Sequence, residues 1–168
     1  MKEKIIDTIE DAYRNVKYGL INIIQWMPIV WNDRDWDQWY LLKLLEFKLL
    51  KMEKLFRRYG NHTGSDKQAK QLKKCAEIFK RLYEENYSEE AFKKHDEKWG
   101  EIEVEFKETD NPEFHEIVMN RENMITDEDK IKQRHESNIC MQNSYKAQGN
   151  DLKEVFAMMR DNILGWWD

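Results

Sequence analysis

Apolar residues recur along this chain at spacings of three and four, and alternate strictly over one short stretch, so helices with a single hairpin are the first expectation. Ile5, Ile9, Ala12, Tyr13 and Val16 mark a first helix over residues 3–18, with Gly19 placed to end it. The apolar run 20–31 follows, and Pro28 should break or kink it, because proline removes an amide donor and crowds the preceding turn. Asp33 or Asp35 can cap a second helix over about 36–59, and Asp35 with Gln38 has the spacing of a capping box. Its stripe of Leu42, Leu45, Leu49, Met52, Phe56 and Tyr59 is widened by Tyr40, Leu44, Phe47 and Leu55, more than a single neighbour would cover.

Residues 60–64 read as a turn, and Ser65 with Gln68 as a second capping box opening a third, antiparallel helix to about Tyr87. Leu72, Cys75, Ala76, Phe79, Leu82 and Tyr83 are its inward positions. Ser88 caps a short helix through Trp99, closed by Gly100. The period then changes to two: Glu101 to Lys107 alternates, residues 109–112 turn, and Phe114 to Asn120 is the partner strand. Such a hairpin is marginal alone and needs helices or a second subunit to pack on. Thr126 with Asp129 opens a helix to about Ala147, Gly149-Asn150 ends it, and Asp151 begins a last helix through Trp167. The predicted fold is mainly α, a helical bundle of five to six helices with one small β-hairpin insertion at about 101–120, in a single domain over 1–168.

A chain of 168 residues is long enough for one proper core. With six glycines, two prolines and 36% charged residues, it fits solvated helices better than a sandwich. Cys75 and Cys140 sit in helical patterns without metal-ligand spacing, and read as small apolar side chains in a reducing compartment. The opening residues place acids where a secretory leader is basic, and the run 20–31 carries Asn22, Gln25 and Pro28, too short and too polar for a membrane span. The cytoplasm is the expected compartment, and no cofactor is called for.

Charge is distributed unevenly. Residues 39–81 hold twelve Lys and Arg against four acids, although the whole chain is at −5. Such a local excess concentrates small anions, and Arg57, Arg58 and His62 are its densest donors. On the fifth helix, if Ile131, Ile139 and Met141 face inward, then His135, Asn138, Gln142 and Tyr145 lie near the same side with Arg134 bordering them. That set makes either a ligand cavity or a hydrogen-bonded seam. Among seven tryptophans, Trp36 and Trp99 are candidates to stack on a planar ring, and Trp166-Trp167-Asp168 is expected to dock as a tail. The histidines are scattered, no glycine loop cradles phosphate, and the acids near Glu84 to Asp96 straddle a helix break, so no catalytic set and no metal site is expected.

The combined motifs 31–37 (WNDRDWD), 95–100 (HDEKWG), Lys48-Leu49 with Met52-Glu53-Lys54, and the Trp166-Trp167 ending resemble a group of small proteins of tailed bacteriophages and prophages. The group brings no catalytic residues with it. The resemblance implies work in the cytoplasm of an infected bacterium, where small proteins of this kind serve as counter-defence factors. The expectation drawn from all of this is a non-enzymatic homo-oligomer, its subunit seam at the hairpin or the terminal helix, that sequesters an anionic nucleotide-like small molecule. Its expected contacts are Arg34, Trp36, Arg57, Arg58, His62, Trp99, Arg134, His135, Asn138, Gln142 and Tyr145. The alternatives are a protein that blocks a host factor through a helical face and a metal-dependent nucleotide hydrolase; long nucleic acid is disfavoured by the net negative charge.

Overall fold

Among the described residues, the expected alternation of helical and two-residue periods becomes five α-helices and one hairpin. A computed structural model describes residues 2–31, 33, 38–60, 63–111 and 113–166, with the backbone alone for 2–7 and 38. In order these are α1 (Lys2–Val30), α2 (Gln38–Tyr59), α3 (Ser65–Glu84), α4 (Tyr87–Trp99), β1 (Ile102–Glu108), β2 (His115–Arg121), α5 (Asp127–Asn162) and a 3-10 turn (Ile163–Gly165). Two compact units divide the chain, Met1–Ala76 and Glu77–Asp168, the division falling within α3. The fold is mainly α with one hairpin insertion, as the periodicity requires. Among the described residues no helix is long and apolar enough to cross a membrane.

Two expected stops do not occur. α1 runs through Gly19, and α5 runs through Gly149 as one helix of 36 residues. Glycine ends a helix when its φ turns positive; of these positions only Gly100 does so, at +79°, and it closes α4 by donating its N–H to the Asp96 carbonyl. An interior glycine otherwise costs only about 1 kcal/mol relative to alanine, which the rest of a long helix absorbs. Pro28 lies inside α1, but the helix ends two residues later, so the missing amide weakens only its last turn. The box expected at Ser65 is not made either: Gln68 N–H donates to the Gly64 carbonyl, and the Ser65 hydroxyl donates to the Gly60 carbonyl at 3.5 Å. Ser88 likewise lies inside α4 and meets the Ser144 hydroxyl at 3.2 Å instead of capping. The box at Thr126 and Asp129 is formed with both reciprocal bonds.

In the first unit the core is Leu42, Leu49 and Phe56 of α2 with Ala69, Leu72, Cys75 and Ala76 of α3. Gly60 is a point of close approach, where a Cβ would lie 2.4 Å from both the Phe56 carbonyl and the Ser65 Cβ. Trp26 of α1 meets Phe47 edge-on with centroids 4.7 Å apart, and Lys51 donates to Asn22 while lying over the Trp26 ring. In the second unit Ile78, Phe79, Leu82, Trp99, Val155 and Trp166 are buried, and Phe79 meets Phe156 at 5.8 Å in a T-shaped contact. Trp166 is thus docked, as a terminal tryptophan was expected to be; Trp167 and Asp168 lie outside the described residues. Both cysteines are free.

Candidate functional site

The hairpin is an antiparallel pair running from Ile102 opposite Arg121 to Glu108 opposite His115, each strand one residue later than its alternation indicated. Period two places Ile102, Val104 and Phe106 on one face with Ile117 and Met119 across from them. All five are more than half exposed. At the tip, the Thr109 hydroxyl lies against the Asn111 and Phe114 carbonyls at 2.9 and 2.8 Å, and Glu113 N–H donates to the Asn111 side chain.

The root of this arm is built by the motif 95–100. Positive φ at Gly100 turns the chain out of α4, and a Cβ there would stand 3.0 Å from that of Glu122. Arg121, at the end of β2, is buried and donates to Asp96 Oδ1 at 2.7 Å and to the Gly100 carbonyl at 2.6 Å. Asn123 continues the clamp, donating from its side chain to the Lys98 carbonyl and from its backbone to the Trp99 carbonyl. On the other side of α4, Trp99 Nε1 donates to Glu136 Oε2 at 2.8 Å, Lys98 pairs with the same carboxylate, and buried His95 has its ring nitrogens beside Asp96 and the Gln133 carbonyl. Burial works to raise the Asp96 pKa, yet hydrogen bonds from His95 and Arg121 and their charges outweigh it, leaving the carboxyl below the usual carboxylate range. Lys98, then the Trp99 donor, lowers that of Glu136. The geometry therefore orients an arm firmly while leaving its apolar face uncovered.

Two clefts of the second unit have acidic linings. One, of about 390 Å3, is lined by Arg81, Asn86, Tyr87, Glu90, Ala147, Asn150 and Asp151. Its single guanidinium is committed: Arg81 makes two bonds to Asp151, at 3.0 and 2.8 Å, and Tyr87 donates to the same oxygen at 2.6 Å. Burial first, then the Asp151 carboxylate, raises the Tyr87 pKa, and the bond to Asp151 raises that of Arg81. The other, of about 690 Å3, is lined by Glu89, Glu90, Asp96, Glu97 and Glu101 with Lys93 and Asn86. Neither lining complements an anion. Among the described residues no three His, Cys, Asp or Glu are placed to hold a metal ion.

The residues expected to bind a ligand fall into separate groups. Arg34, Trp36 and His62 lie outside the described residues. Arg57, on α2, is ion-paired with buried Glu53, whose hydrogen bond and charge raise the guanidinium pKa, and Arg58 lies over the Tyr59 ring at 5.1 Å. Trp99 is buried with its N–H engaged, so its face is covered. Arg134, His135, Asn138, Gln142 and Tyr145 do share one face of α5, but that face is exposed, together with Ile131, Ile139 and Met141. The face that packs on α4 is written instead in polar and small residues: Gln133, Glu136, Ser137, Cys140 and buried Ser144. Reading apolar residues as inward reversed this helix, because its packing runs through hydrogen bonds to Ser88, His95, Lys98 and Trp99. Nothing in the local pattern marks the clamp on Arg121 beyond an arginine that closes an alternating strand five residues before a helix cap. No protein-family model, no curated protein and no solved structure matches the chain.

Proposed function

We propose that this protein is a non-catalytic interaction protein that engages another protein through its hairpin arm. The observation that carries the reading is the uncovered face of Ile102, Val104, Phe106, Ile117 and Met119 on an arm clamped at its root. Covering those side chains removes on the order of 500 Å2 from water, gross ~12 kcal/mol at ~25 cal/mol per Å2 before ordering costs. A patch of that size matches the largest on an ordinary single chain, and such patches often serve as interaction sites. Its rim defines the partner. Residues 101–122 hold eight acids against Lys107 and Arg121, and Arg121 is already paired, so the complementary surface is an apolar groove edged by Lys and Arg. In the phage setting that the resemblance implies, the partner is a host protein whose basic surface becomes blocked. Affinity capture from the host with wild type and with a Phe106→Ser/Met119→Ser variant tests this. A basic protein retained by wild type, lost with the variant and released by salt supports the reading; equal retention by both refutes it.

The exposed stripe Arg134, His135, Asn138, Gln142 and Tyr145 on α5 supports a second reading, in which an anionic nucleotide-like molecule binds against that face. A ligand at a hundred times its dissociation constant adds roughly 2.7 kcal/mol of stability. Thermal shift with a panel of cyclic and ADP-ribose-derived nucleotides, repeated with Arg134→Ala, separates the two readings: a shift abolished by Arg134→Ala favours the second.

A further inference from the structure

We infer that α1 pairs with the α1 of a second copy of this chain as an antiparallel two-helix coiled coil. Ile9, Tyr13, Val16, Leu20, Ile23 and Met27 follow one another at intervals of 4, 3, 4, 3 and 4. That is an unbroken heptad seam, with Tyr13, Leu20 and Met27 at one core position and Ile9, Val16 and Ile23 at the other. All six are 46–66% exposed. A strict 3.5 repeat keeps one face turned to a partner helix that supercoils with it. α1 meets its own unit beside the seam: Trp26 and Asn22, which contact Phe47 and Lys51, lie roughly 100° and 140° around the helix from it at 100° per residue, Trp26 being one heptad after Gly19 on the same flank.

Four observations select a second copy, and two of them its opposite direction. The exposed seam amounts to on the order of 1,400 Å2 over two copies, within the ~1,200–2,000 Å2 of stable specific interfaces. The flank on one side of the seam carries Glu3, Glu10 and Lys17, one heptad apart, and then Ile24. Antiparallel helices set this flank against itself, so Glu10 faces Lys17 of the second copy twice over, whereas parallel helices would set Lys17 beside Ala12. The same register places the bulky Tyr13 against the small Val16, and Ile9 against Leu20. Gly19 flanks the seam on its other side, where a Cβ would meet nothing within 4 Å in its own chain; next to a second helix the missing side chain permits close approach.

The inference stands on α1 alone and fails or holds independently of the hairpin reading. Sedimentation equilibrium of the full chain should give twice the 20.6 kDa monomer at tens of micromolar. Leu20→Glu should raise the dimer Kd by about 100-fold or more, because it buries a carboxylate in the seam, while Tyr18→Glu on the opposite face leaves it unchanged. Circular dichroism and protection of the Leu49 and Leu72 amides check that both variants remain folded. In a Cys140→Ser background, Tyr13→Cys and Val16→Cys chains mixed under oxidant should cross-link to each other and not to themselves. A monomeric wild type, a dimer that survives Leu20→Glu, or self-linking of Tyr13→Cys, which identifies parallel helices, would overturn it.

Discussion

Replacing Arg121 by methionine keeps an apolar stem of similar length and removes the guanidinium that holds the root of the hairpin. Two charge-assisted hydrogen bonds disappear, to Asp96 at 2.7 Å and to the Gly100 carbonyl at 2.6 Å. Each bond of this kind contributes ~1.5–3 kcal/mol, and stripping one partner from a fully buried pair costs ~3–5 kcal/mol. Asp96, however, is 46% exposed, so water re-solvates its carboxylate, while the buried Arg121 no longer has to be desolvated. The net loss should be about 2–3 kcal/mol. Urea unfolding followed by circular dichroism gives the global value, and amide exchange over 102–108 and 115–121 gives the local one. Exchange in the hairpin should accelerate more than in the α2 core, since the arm loses its anchor before the fold opens. The acid limb supplies a control. The depressed Asp96 pKa lies below its unfolded value of ~3.9, so its stabilisation is complete above that pH and is lost as pH falls through the folded value. That acid dependence should shrink in Arg121→Met. Unchanged hairpin exchange together with a loss below about 0.5 kcal/mol would show that Arg121 does not anchor the arm.

Three further substitutions check the architecture. Phe79→Ala, at a fully buried site in edge contact with Phe156, should lower stability by ~3–5 kcal/mol in urea titration. Gly149→Ala should raise it by ~0.4–1 kcal/mol, because the new Cβ meets nothing within 4 Å and the helix runs through that position; a loss would mean that α5 breaks there. Glu85, the non-glycine residue at φ 54° between α3 and α4, should accept glycine with a gain of about 0.5–1 kcal/mol, read as an increase in midpoint temperature.

What the sequence determined by itself was local. Apolar spacing identified α2 and the inward face of α3, strict alternation located the hairpin to within one residue, and Thr126 with Asp129 marked the start of α5, since each depends on neighbours a few positions apart. Gly19 and Gly149 show where such reasoning stops: whether glycine ends a helix depends on its φ, and residue type alone does not set that angle. Tertiary structure decided the rest. It turned α5 so that Ser144 and Gln133 face α4 while Ile131 and Tyr145 face solvent, because hydrogen bonds from a neighbouring helix outweigh hydrophobic pattern on a face with few apolar residues. It also brought Arg121 to Asp96 and Trp99 to Glu136 across 25 and 37 residues, closures that no short-range periodicity encodes.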